Sequence, residues 1–163
     1  MLNHAKGIRF LVLCFTMILA CGAVAVSAAE PVVYADGVGG SAEHYATLSE
    51  AVNALPQTGG VVVVSGKVTV GNAEKLSSKL ITVTSKYGSV DATQGSLVLD
   101  GTLTLGADTV FENVTIVGSG KILAAGNRLT VKASVKTESK NGTYPSIFGG
   151  SDAALSANSN LSL

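Results

Sequence analysis

The 163-residue sequence predicts an all-β fold, a parallel β-solenoid with one short capping helix at about Leu48–Leu55. Three observations predict it. An apolar-Thr-apolar triplet recurs along the chain, turn-forming Gly, Asn and Asp separate the recurrences, and one amphipathic segment precedes them all.

Residues 1–29 read as a secretory signal peptide. His4, Lys6 and Arg9 form a basic start, Phe10 to Ala20 is uninterruptedly apolar, and Val26-Ser-Ala-Ala29 supplies small residues before Glu30-Pro31. The apolar run is shorter than the roughly 20 residues that span a bilayer. Ile18-Leu-Ala-Cys21 loosely resembles a bacterial lipobox, whose cysteine would carry lipid. Leu19 fits that pattern poorly and Ser27-Ala28-Ala29 suits ordinary signal peptidase, so plain export is expected over anchoring at Cys21. Both Cys14 and Cys21 leave with the leader, so the remaining 134 residues have no disulfide or thiol chemistry. Such a domain depends on burial and hydrogen bonding for its stability. Its charge is 9 Lys and Arg against 11 Asp and Glu, a net of −2. No basic patch interleaved with aromatics is present, which excludes a nucleic-acid partner.

A length of 134 residues suits one β domain, residues 30–163, with a real core. A capping strand and helix occupy 31–56. Thr47-Leu-Ser-Glu50 has the capping-box pattern, Leu48, Ala51, Val52 and Leu55 share one face, and Pro56 ends the element. Two turns of helix are marginal alone and require an apolar surface to dock on. The exposed end of a solenoid, with open strand edges and an uncovered core, is such a surface. Alternating short strands alone also fit an antiparallel sandwich; the lone helix favours the solenoid.

Coils are expected over 61–150. Val68-Thr69-Val70, Ile81-Thr82-Val83, Leu103-Thr104-Leu105, Val114-Thr115-Ile116 and Leu129-Thr130-Val131 alternate with period two, placing aliphatics inward and threonines outward. Ser65-Gly66, Gly71-Asn72, Tyr87-Gly88, Asp100-Gly101, Gly118-Ser-Gly120 and Gly126-Asn127 are the turn signals between them. The steps from Thr82 to Thr104 and from Thr104 to Thr130 suggest one full coil each, with outward threonines stacked in ladders. Residues 151–163 read as an incomplete coil without a closing cap. The natural chain is therefore expected to continue, or its open C-terminal edge to self-associate.

Three segments carry a resemblance. Val33-Tyr-Ala-Asp-Gly-Val-Gly-Gly40, Tyr45 to Pro56 and Gly59-Gly-Val-Val-Val-Val-Ser-Gly66 resemble the start of the pectin-lyase-like superfamily. Phe111-Glu-Asn-Val-Thr-Ile116 is similar to its recurrent coil strand. Ile122 to Val131 and Tyr144 to Gly150 are similar to segments of large exported β-helix proteins of Gram-positive gut bacteria. The resemblance covers about residues 32–150 and implies a right-handed parallel β-helix. Its lyases use clustered acidic calcium ligands with a basic residue, and its methylesterases a Gln, two Asp and an Arg. Ser146-Ile-Phe-Gly149 echoes the end of a methylesterase motif, but serine stands where an acid is needed.

No catalytic, cofactor or metal residue is expected. Asp91, Asp100, Asp108 and Glu112 are scattered singly, with Asp100 at a turn; Asp108 and Glu112 lie about 13 Å apart along a straight strand, too far to share an ion. Arg128 follows a turn and reads as a solvated rim residue. His44 lacks an evident partner to orient its imidazole. Asn113 and Asn141 fit the glycosylation pattern, but Asn113 is expected inside a strand, bonding along the stack. Tyr87, Tyr144 and Phe148 are the expected glycan-contact platforms, with coil-corner packing as their other reading. The expectation is a secreted or cell-surface, non-catalytic module (an adhesin, glycan-binding or structural protein) whose partner is a polysaccharide or a host or cell-wall glycan. The alternative is a truncated polysaccharide lyase or pectin esterase-like enzyme with its active site beyond residue 163.

Overall fold

The computed structural model describes residues 30–37, 39–88, 90–91, 95–149 and 160–162. The expected signal peptide with Cys14 and Cys21, the side chain of Asp91 and most of the expected incomplete coil lie outside the described residues. The chain is mostly β, with parallel sheets and, among the described residues, one helix.

That helix, α1 (Leu48–Ala54), forms as its sequence dictates. Thr47 Oγ1 accepts from the Glu50 amide at 3.1 Å, and Glu50 Oε2 accepts from the Thr47 amide at 3.1 Å, so the capping box is closed. Leu48, Ala51 and Val52 are fully buried. Leu55 leaves the helix in extended geometry, as a residue before proline must. The helix packs against β1 (Val32–Ala35), β2 (His44–Tyr45), β3 (Gly60–Val64) and β4 (Lys67–Val70). Glu74 joins it to the next strand: Oε1 accepts from the Ser49 amide at 2.7 Å, and Oε2 from the Gly71 amide at 3.2 Å.

After α1 the chain takes one strand in each of three parallel sheets and then repeats the circuit. The first circuit is β3, β4 and β5 (Ala73–Lys75). The second is β6 (Ile81–Thr84), β9 (Ser96–Leu99) and β10 (Thr102–Thr104), with a small antiparallel hairpin of β7 (Lys86–Tyr87) and β8 (Val90–Asp91) at its first corner. The third is β11 (Thr109–Glu112), β12 (Thr115–Gly118) and β13 (Lys121–Leu123). The fourth is β14 (Arg128–Val131), β15 (Lys136–Glu138) and β16 (Ser146–Phe148), and β17 (Asn160–Ser162) pairs next to β14. Sheet A collects β2, β1, β3, β6, β11, β14 and β17; sheet B collects β4, β9, β12 and β15; sheet C collects β5, β10, β13 and β16.

The inward set is aliphatic and continuous. Val83 and Phe111 are neighbours in sheet A, Val68, Leu97 and Ile116 in sheet B, and Leu103 and Ile122 in sheet C, all fully buried. The central residue of every apolar-Thr-apolar triplet is less buried than its aliphatic neighbours, except that Val131 is only partly buried. The expected stacking of those threonines is corrected. Thr82 pairs with Val110, which pairs with Thr130, whereas Thr104 lies in sheet C between Lys75 and Leu123. Circuit length varies because the corners absorb residues, as the β7–β8 hairpin does, so equal spacing of threonines does not mark equal positions. The outer rows are mixed rather than threonine ladders.

Buried hydroxyls are answered by backbone: Ser85 Oγ donates to the Gly95 carbonyl at 3.1 Å and Thr109 Oγ1 to that of Ala107 at 3.0 Å. Asn113 is not inside a strand. It holds the positive-φ corner between β11 and β12 (φ 49°), exposed, and its amide donates to Ser134 Oγ at 2.9 Å. A short polar side chain tolerates that conformation better than most residues.

Candidate functional site

The three aromatics expected to contact glycan are not brought onto one surface. Tyr87 lies half-buried in the hairpin at the corner between sheets A and B. Phe148 is half-buried on the outer row of sheet C, beside Leu123, with Lys121 Nζ 6.0 Å from its ring centroid. That ammonium is at the outer limit of a cation–π contact with one face of the ring. Tyr144, 61% exposed in the connection before β16, is open to solvent.

The acidic residues hold structure. Glu112 pairs with Lys132 at 2.7 Å, Asp100 with Lys140 at 2.6 Å, and Asp108 Oδ1 accepts from the Arg128 amide at 2.8 Å. No group of three or more His, Cys, Asp or Glu side chains is placed to hold a metal among the described residues.

His44 differs from the sequence expectation, because it does have an orienting partner. Nδ1 lies 2.7 Å from Asp36 Oδ2, and the ring stacks on Tyr34 at 4.7 Å between centroids. Asp36 Oδ1 also accepts from the Gly39 amide at 3.0 Å, which ties down the loop between β1 and β2. Sequence reasoning missed this pair because Asp36 and His44 meet only when β1 and β2 align, Tyr34 opposite His44. An oriented imidazole needs a substrate or nucleophile at its far nitrogen to act as a base. With the Gly39 contact, the pair ties the loop between β1 and β2 to the strands.

The parallel register assembles a groove that no short motif announces. It crosses the outer face of sheet A over β6, β11 and β14, with a volume of about 490 Å³. Thr82, Val110 and Thr130 form its floor in one row, adjacent in register. Asp108, Arg128, Gly59 and the 59%-exposed Leu80 stand together just before these strands and line it too, with Glu30, Pro31 and Thr58. The hydrogen bond to the Arg128 amide holds the Asp108 carboxylate in place and leaves the guanidinium exposed. Hydroxyls that donate and accept, one carboxylate acceptor, one fork of donors and apolar Val110 and Leu80 are thus presented together. The signal for it lay in Thr82, Thr130 and Arg128 being outward residues; their convergence required the 28-residue step from Thr82 to Val110 and the 20-residue step to Thr130.

Comparison with protein-family models, with curated proteins and with solved structures finds no match for this chain.

Proposed function

We propose that this chain is a right-handed parallel β-helix of the pectin-lyase-like kind. We further propose that it serves as a non-catalytic secreted or cell-surface module, binding neutral polysaccharide along the outer face of sheet A. The handedness is supported by the general rule that parallel crossovers are right-handed, applied to strands that return to the same sheet circuit after circuit. The leader-like residues 1–29 support export.

The observation that carries the ligand reading is the groove on sheet A. Its acidic Glu30 and Asp108 outnumber its one cation, Arg128, which disfavours a polyanion, while its threonine hydroxyls and apolar Val110 and Leu80 match the hydroxyl groups and CH faces of a sugar ring. A groove running across strands suits an extended chain rather than an enclosed small molecule.

The test is affinity electrophoresis of the purified chain through gels containing neutral polysaccharides such as xylan, glucan and mannan. Retardation by at least one of them is expected, and Arg128→Ala combined with Thr82→Ala should remove it. Retardation that survives both substitutions, or none with any neutral polymer, overturns the reading. Unsaturated products or released methanol on incubation with pectin would instead indicate a lyase or an esterase acting through residues of this chain.

A further inference from the structure

We infer that the outer face of sheet B is a separate binding site for a linear polysaccharide carrying spaced sulfate esters. A groove of about 550 Å³ runs across this face, and Lys67, Lys136 and Lys140 line it. The chain that follows the leader has a net charge of −2, yet three of its eight lysines converge here. The convergence comes from register. Lys67 pairs with Ser96, Ser96 with Thr115, and Thr115 with Lys136, so the two lysines end one row across four strands. Three strand spacings put their Cα atoms about 14 Å apart. Sequence separation hides this, because the row is built from residues on four circuits.

Lys67 and Lys136 have no carboxylate partner among the described residues. Three other lysines are already engaged: Lys132 by Glu112, Lys140 by Asp100, and Lys79 by backbone carbonyls at the end of α1. With their Cα atoms about 14 Å apart, more than the screening length of roughly 8 Å at physiological salt, the two lysines are spaced for separate anions. One small anion cannot bridge them; two charges on an extended polymer can.

The rest of the groove narrows the class. Val98 and Val117 pair side by side in the next row, half-buried, and give a small apolar strip for the face of a sugar ring. Glu138 continues that row beside Val117, so a polymer charged at every position meets repulsion there and one with spaced charges does not. The cations are lysines, compact point charges on flexible stems, without the planar fork that matches a carboxylate in two-point contact. They suit a tetrahedral oxyanion approached from any direction. The site shares no residue with the groove on sheet A.

Immobilised dextran sulfate of low substitution is the probe, with unsubstituted dextran and polygalacturonate as comparators. The purified chain is expected to bind dextran sulfate more tightly than either, with affinity falling as salt rises. Lys67→Gln and Lys136→Gln should each weaken binding about fivefold. Lys75→Gln, on sheet C, and Arg128→Ala, in the groove on sheet A, should leave it unchanged, which separates failure here from failure of the neutral-glycan reading. Circular dichroism of each variant checks that the fold is kept. No binding to dextran sulfate, equal binding to polygalacturonate, or an equal loss in Lys75→Gln overturns the inference.

Discussion

Replacing Lys79 with methionine tests how the helix is held to the sheets. Helix α1 ends without a glycine, and Leu55 turns away in extended geometry before Pro56; its amide donates to the Val52 carbonyl at 3.3 Å, but the usual αL turn that would answer the other last carbonyls is absent. Lys79, in the connection between β5 and β6, supplies further donors. Its ammonium donates to the carbonyls of Val52 at 3.1 Å, Asn53 at 2.7 Å and Leu55 at 2.5 Å. Three donors meet three acceptors, at the end of the helix where a positive charge is favoured.

The bond to Asn53 is exposed and water replaces it readily, so it contributes little. The bonds to Val52 and Leu55 are partly buried, and at about 1 kcal/mol net each they give a loss of about 2 kcal/mol. For a domain of this size that is a fall in Tm of roughly 8 °C. Methionine keeps most of the stem, so the change isolates the ammonium. Thermal unfolding followed by circular dichroism reads the shift, and hydrogen exchange should show faster exchange in α1 than in the sheet strands. A shift under about 2 °C, or an equal shift for the exposed Lys75→Met, refutes the argument.

Two further substitutions probe the sheets. Phe111→Ala removes a fully buried ring between Val83 and Val131 and should cost about 3–5 kcal/mol, measured by urea unfolding. Gly118→Ala should cost well over the roughly 1–2 kcal/mol of its positive φ alone, because a Cβ there would sit 2.1 Å from the Leu99 carbonyl oxygen of the neighbouring strand. Gly126→Ala, also at positive φ but with nothing within 4 Å, is the control that separates backbone conformation from clash.

Features encoded by neighbouring residues are legible in the chain itself. Thr47 and Glu50 announce the start of α1 and Pro56 its end, and both boundaries hold to within a residue. The aliphatic members of the five triplets face inward because period two is a property of the strand itself. The run Val61-Val-Val-Val64 is apolar at every position, and β3, between β1 and β6, is buried along its whole length. What depends on comparing distant segments is less legible. The Asp36–His44 pair, the Glu74 contact with α1 and both outer grooves join residues whose separation in sequence carries no periodic mark.

The misplaced threonine ladder shows where the boundary falls. Every triplet is recognisable and its facing follows from its own residues, yet Thr82 and Thr104 lie on different sheets. By itself the sequence determined an all-β chain, its single capped helix, and which side chains of each strand point inward, because each of these is settled within a few residues by sterics and hydrophobic periodicity. Tertiary structure alone decided which strands stack and therefore which outward side chains meet. Parallel partners lie 20 to 28 residues apart on successive circuits of sheet A between β6 and β14, and corner lengths that no periodicity encodes set the offset.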